Sequence, residues 1–214
     1  MPLPIAHTGI GLACYLSLPK RDIDQLNDRK NAVLLLLFAF LANLPDLDFL
    51  PGIIVGQPNA YHHGPSHSIV LALIAAVAVF SISYRYFHEL GKVRYLLALL
   101  LVCASHTLLD FFSKDTGHPF GVPLLWPLHE DYFISSTSLF SDVERSSDPG
   151  FAFIMSLFNS HNLIAIAGES LFVIMVLSAA IAVRNRNVHK RRNYWSALSV
   201  ISSVGLAIFL KLMI

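Results

Sequence analysis

Apolar and polar positions in this chain alternate in long blocks rather than short periods. Apolar runs cover residues 3–18, 32–44, 69–84, 95–112, 162–183 and 194–214, with a shorter one at 151–158. A membrane span usually needs about 20 apolar residues, so these blocks predict an all-α polytopic membrane bundle of about five to six apolar segments. The first run, interrupted by His7, Gly9 and Gly11, is short for a span. Residues 113–149 are polar and rich in Pro and Gly, which predicts an irregular loop. No internal repeat or low-complexity tract divides the chain, so residues 1–214 are read as one membrane-embedded domain.

Composition agrees. Of the 214 residues 55% are hydrophobic and 14% charged, against roughly 25% charged in a soluble domain. The net charge of +1 provides no field for nucleic acid. Cys14 and Cys103 both lie in apolar runs and read as buried thiols rather than a disulfide. The first residues lack the basic stretch of a secretory signal and are expected to belong to the mature fold.

Charge then orients the runs. Lys20, Arg21, Arg29 and Lys30 fall in residues 19–30; Arg85, Lys92 and Arg94 in 85–94; Arg184, Arg186, Lys190, Arg191 and Arg192 in 184–192. The alternate loops, 45–68 and 113–161, hold only Lys114 and Arg145. The positive-inside rule therefore predicts the three basic loops in the cytoplasm and the others outside.

The histidines sort with the loops. His7, His62, His63, His67, His106, His118, His129 and His161 all fall at or near the predicted outer face, as do Asp46, Asp48 and Asp110, while only His88 and His189 lie in cytoplasmic loops. His106 and Asp110 are four apart, which stacks them on one helix face. Imidazole and carboxylate without thiolate suit Zn²⁺ best, with Mn²⁺ or Fe²⁺ as alternatives, and enough ligands are present for one or two ions. Asp46 and Asp48, two apart, cannot share a helix face; one is expected to ligate while the other orients a ligand. His118 and His129 read as loop residues, and His161 and Glu169 are secondary candidates. Whether 113–149 forms a lid stays open.

The ordered motifs His-Thr-Gly (7–9), Leu-Pro-Asp-Leu-Asp (44–48), His-Gly-Pro-Ser-His-Ser (63–68) and Ser-His-Thr-Leu-Leu-Asp (105–110) resemble the YdjM-like family, described as inner-membrane-associated metal-dependent hydrolases. Gly121 to Leu128 looks like the continuation of that pattern, and the match covers about residues 1–130, leaving 162–183 and 194–214 as further spans. Carried over, the resemblance implies the inner (plasma) membrane as the location and His7, Asp46, Asp48, His63, His67, His106 and Asp110 as the site. The order of ligands is also similar to that of zinc-dependent phospholipase C and P1-type nucleases, as fold-level analogy.

The expectation is a hydrolase of an ester or phosphoester, such as that of a lipid head group, at an extracytoplasmic metal site in the bilayer. His7, Asp46, His67, His106 and Asp110 would hold metal. Asp48 or His63 would orient a ligand or act as general base or acid. The competing readings are a metal-ion or proton transporter, which would need polar groups across the bilayer, and a membrane protein stapled by a structural metal.

Overall fold

The computed structural model describes residues 2–184, apart from 58, 59, 147 and 149. Among them the chain is helical, with two isolated bridges in loops and no named strand. The helices are α1 (Pro4–Ser17), α2 (Lys20–Ile23), α3 (Asp28–Ala42), α4 (Phe49–Ile54), α5 (Ile69–Ser83), α6 (Lys92–Phe111), α7 (Phe151–Ser156) and α8 (Ser160–Arg184), with single 3-10 turns at Pro45–Asp48 and Pro65–His67.

Their ends follow from local chemistry. Asn27 caps α3 by accepting from the Lys30 N–H at 2.8 Å, and Ser68 caps α5 by accepting from the Val70 N–H at 3.1 Å. Proline opens α1 and both 3-10 turns, where its missing N–H costs nothing. Pro45 cannot continue the ladder of α3, so the chain bends by 58° between α3 and the segment 45–54.

Fewer segments are long enough to cross a bilayer than the apolar runs suggest. By length and composition α6 and α8 qualify, and α3 joined to the bent segment makes a third. The expected five to six is corrected to two or three among the described residues. The reason is length: α1 with 14 residues and α5 with 15 rise only about 21–23 Å, against a hydrocarbon core of about 30 Å. The expected span at 194–214 lies outside the described residues.

α1 occupies the middle, packed on α8, α3 and α6, while α5 packs on α6. Two glycines permit this. A Cβ on Gly9 would fall 2.3 Å from Val173 of α8, and one on Gly11 would fall 2.6 Å from the Phe38 carbonyl of α3. Small residues at such contacts let backbones approach closely, which is how helices associate where lipid removes the hydrophobic drive. Leu34, Phe38, Tyr95, Leu99 and Val102 fill the core beneath. Tyr95 brings a hydroxyl with it, which pairs with Ser83 at 2.7 Å. Leu36, Ile74, Ile82, Leu101 and Ile174 face outward, an apolar exterior suited to lipid rather than water.

The two ends of the bundle differ in chemistry. At one end Arg94 pairs with Asp22 at 3.2 Å and Lys30 with Glu89 at 2.5 Å, and Arg184 lies over Tyr15. His7, Asp46, His67, His106 and Asp110 gather at the other.

Candidate metal centre

Four elements deliver the cluster. His7 stands on the second turn of α1, Asp46 in the 3-10 turn after α3, His67 at the end of the turn before α5, and His106 with Asp110 on the last two turns of α6. The Glu169 carboxylate accepts from the N–H of Leu3 at 2.6 Å and of Ala6 at 3.2 Å. It thereby satisfies two of the amides that open α1 and ties His7's helix to α8. Asn43, at the end of α3, donates to Thr8 Oγ1 at 2.9 Å, tying α1 on its other side. The placing of His7 thus rests on the Glu169 carboxylate and the Asn43 amide.

Nitrogen and oxygen atoms from these residues converge. His106 Nε2 lies 3.1 Å from Asp110 Oδ2, 3.5 Å from Asp46 Oδ1 and 3.2 Å from His67 Nε2. His67 Nε2 lies 3.5 Å from Asp110 Oδ2 and 3.7 Å from Asp46 Oδ1, and His7 Nε2 lies 3.6 Å from Asp110 Oδ1. Donors held ~2.0–2.1 Å from a tetrahedral Zn²⁺ stand about 3.3 Å apart, and these separations bracket that value, so the residues could hold a metal. His7, His67, His106 and Asp110 are buried. Both ring nitrogens of His7, both oxygens of Asp110 and Oδ1 of Asp46 are buried without a hydrogen-bond partner. Groups so placed are costly unless a cation completes them.

Tautomers sharpen the point. His106 Nδ1 donates to the Ala42 carbonyl at 2.8 Å, which leaves Nε2 as a lone pair in the neutral ring. His67 Nδ1 faces Asp48 Oδ2 at 3.2 Å and Ser66 Oγ at 3.1 Å, which likewise turns its Nε2 lone pair inward. Two such lone pairs 3.2 Å apart repel unless a proton or a cation lies between them. Burial pulls the His67 pKa down, yet the carboxylates of Asp46, Asp48 and Asp110 outweigh it and hold the value above normal. The cage selects positive charge.

The sequence model of the YdjM inner membrane protein family matches residues 1–188. The chain belongs to that family. The match runs well past the first 130 residues, taking in α7 and α8. No curated protein and no solved structure gives a significant match.

In this YdjM family member Asp48 and His63 stand next to the cage. Asp48 accepts from His62 Nδ1 and from Ser66 Oγ, both at 2.9 Å, besides facing His67. Its oxygens are committed to orienting histidines. His63 has φ of 61°, in the left-handed region that histidine adopts more readily than most residues. That conformation sets its Nδ1 3.2 Å from Asp115 Oδ2, with its ring centroid 5.1 Å from that of His67. Asp115 also accepts from the amides of Gly117 and Gly121. Burial raises its pKa, but His63 and these amides more than offset that, leaving it at about 2. For His62 burial dominates and brings the pKa down to about 4.

A cavity of about 670 Å³ opens beyond His63 and Asp115, lined by the loop 114–119 and residues 141–145. Loop residues 114–140 are bound back at this end: Leu139 N–H bonds to Phe112, Lys114 N–H to Phe140, and Ile69 N–H to Leu124. Of the secondary candidates none joins the cage. His161 donates to the Asp142 carbonyl, His129 pairs with Asp131, and His118 packs on Phe120. Asp115, Asn43 and the Ala42 carbonyl were not anticipated. Asp115 alone had a local signal, the Asp-Thr-Gly turn.

Proposed function

We propose that this protein is a membrane-bound, metal-dependent hydrolase of an ester or phosphoester, with His7, Asp46, His67, His106 and Asp110 holding a divalent cation. The observation that carries the reading is the pair of inward Nε2 atoms of His67 and His106, 3.2 Å apart, with oxygens of Asp110 and Asp46 3.1–3.7 Å from them that accept no hydrogen bond. Of the three candidate triplets, His7–His106–Asp110 and Asp46–His67–His106 share His106, and His62–His63–His67 shares His67 with the second. The His106 ring has one nitrogen to give, so the first two triplets form one cage rather than two independent sites. Three imidazoles and two carboxylates would suit Zn²⁺, or Mn²⁺ or Fe²⁺.

Bound there, such an ion supplies Lewis acidity and makes water nucleophilic near neutral pH. The chain's own groups do the rest. Asp48 fixes the ring planes of His67 and His62, as carboxylates commonly do behind metal-ligating histidines. His63, held at Nδ1 by Asp115, is placed to accept the proton released by the attacking water. It then returns that proton to the leaving oxygen as the ester bond breaks, so protons balance over the turnover.

The loop charges favour an extracytoplasmic cage, because Arg94, Lys30 and Arg184 lie at the opposite end. The transport reading needs a polar path through the bundle. Glu169, its best midway candidate, is instead committed to the backbone of α1. The test is turnover: the purified full chain, loaded in turn with Zn²⁺, Mn²⁺ or Fe²⁺, is offered phosphodiester, phosphomonoester and carboxyl-ester substrates beside Asp110→Ala. Hydrolysis lost in the variant supports the reading; no hydrolysis with any metal and substrate class contradicts it.

A further inference from the structure

The end of the bundle opposite the cage holds a cavity of its own. It measures about 520 Å³, within the usual range for ligand sites of about 300–1,000 Å³. Leu18 after α1, Lys20 and Arg21 of α2, Arg94 in the first turn of α6, and Val183 and Arg184 at the end of α8 help to line it. Among the described residues no carboxylate does.

The four cations come from three separate stretches of the sequence, 19–30, 85–94 and 184–192. A charge that serves only to orient a membrane protein needs to lie on the correct side and no more. It need not face a shared cavity, and Arg29, Lys30, Arg85 and Lys92 of the same stretches do not. Lys30 is paired with Glu89 instead.

Charge around the cavity is only partly compensated. Arg21 and Arg94 share a single carboxylate, that of Asp22, each at 3.2 Å. Arg184 lies over the Tyr15 ring, 5.9 Å from its centroid, and has no carboxylate partner among the described residues. Lys20 is exposed and pairs with no carboxylate among them either. Four cations against one carboxylate leave an excess of positive charge around a space large enough for a ligand. Like charges so gathered repel, and an anion between them relieves the repulsion.

The rim narrows the choice of anion. Ile181 and Val183 are exposed on α8, so the cavity opens on the lipid-facing side of a span, at the level where the span ends. Basic pockets between spanning helices at that level suit lipid phosphates. A guanidinium also matches a pair of phosphate oxygens in geometry.

We propose that this cavity binds a phosphate group, carried by an anionic lipid head group or by a soluble phosphate compound, with Lys20 and Arg184 as the main contacts. No cage residue takes part, so the site stands independently of the hydrolase reading.

The experiment takes the full chain, stripped of lipid in detergent, and measures binding of phosphatidylglycerol and phosphatidylcholine by native mass spectrometry. Inorganic phosphate and pyrophosphate are titrated by calorimetry in parallel. Phosphatidylglycerol should bind at least about fivefold more tightly than phosphatidylcholine. Lys20→Gln, which breaks no ion pair of the fold, should weaken that binding about fivefold, and Lys20→Gln with Arg184→Gln about 25-fold. Arg29→Gln with Arg85→Gln removes the same charge from exposed positions outside the cavity. It should cost less than about twofold. Inorganic phosphate or pyrophosphate binding with the same dependence on Lys20 and Arg184, while neither lipid responds to them, assigns the site to a soluble phosphate. Equal losses in the two double variants would mean a diffuse surface field and overturn the site. So would binding of every ligand that is indifferent to Lys20 and Arg184.

Discussion

His7 and His106 stack face to face, their ring centroids 3.8 Å apart and their planes within 17°, although they come from α1 and α6. Two imidazoles so close must not both be charged, and each brings its Nε2 within 3.6 Å of an Asp110 oxygen. The stack exists because Glu169, Asn43 and the two glycines of α1 hold that helix in the centre of the bundle.

Glu169→Ala should therefore cost metal without removing a ligand. Loss of two hydrogen bonds to a buried carboxylate is expected to destabilise the fold by about 2–4 kcal/mol, and metal affinity should fall as α1 drifts from α8. Glu169→Gln, which keeps an acceptor, should lie between wild type and alanine. Thermal unfolding and bound-metal analysis on the three proteins check the ordering.

Gly11→Ala should be worse than Gly9→Ala. The new methyl at Gly11 meets the Phe38 carbonyl at 2.6 Å, a backbone atom that cannot turn aside, whereas at Gly9 it meets the rotatable side chain of Val173. The expected penalty at Gly11 is about 1–3 kcal/mol, with the smaller loss at Gly9. Equal unfolding temperatures for both variants would contradict this packing.

Much of this was legible in the sequence, and the limits are physical. That one end of the bundle carries the chemistry could be read because His67, His106 and Asp46 sit at the ends of apolar runs whose other ends are basic. The number of spans could not. The runs of α1 and α5 are apolar enough to cross but too short, and Pro45 turns the third aside. Nor could Glu169 be assigned. A carboxylate capping a helix more than 160 residues away leaves no periodic trace. Asp115 was hidden for a related reason, since its partner His63 is brought to it by the folding back of a loop.

Asp48→Asn should weaken metal binding by about 10–100-fold while leaving every ligand in place. Asn keeps the shape but presents a less basic acceptor to His67 and His62. A metal titration beside Asp46→Asn, which removes a ligand oxygen, should show the larger loss at Asp46.

Asp115 also gives a pH signature. Its carboxyl titrates at about 2 in the fold against about 3.9 when unfolded. The stability it contributes is thus fully present above pH ~4 and disappears as pH falls toward 2. The difference in unfolding free energy between wild type and Asp115→Asn should shrink as pH falls from about 4 toward 2. A gap that widens over that interval would contradict the lowered Asp115 pKa.

The most direct measurement of the central claim is metal content by inductively coupled plasma mass spectrometry on the purified full chain, beside His106→Ala, Asp110→Ala and the remote control His129→Ala. Wild type and the control should carry roughly one divalent ion per chain, and the two cage variants close to none. Equal metal in all four proteins, or none in folded wild type resupplied with Zn²⁺, Mn²⁺ and Fe²⁺, would contradict the account.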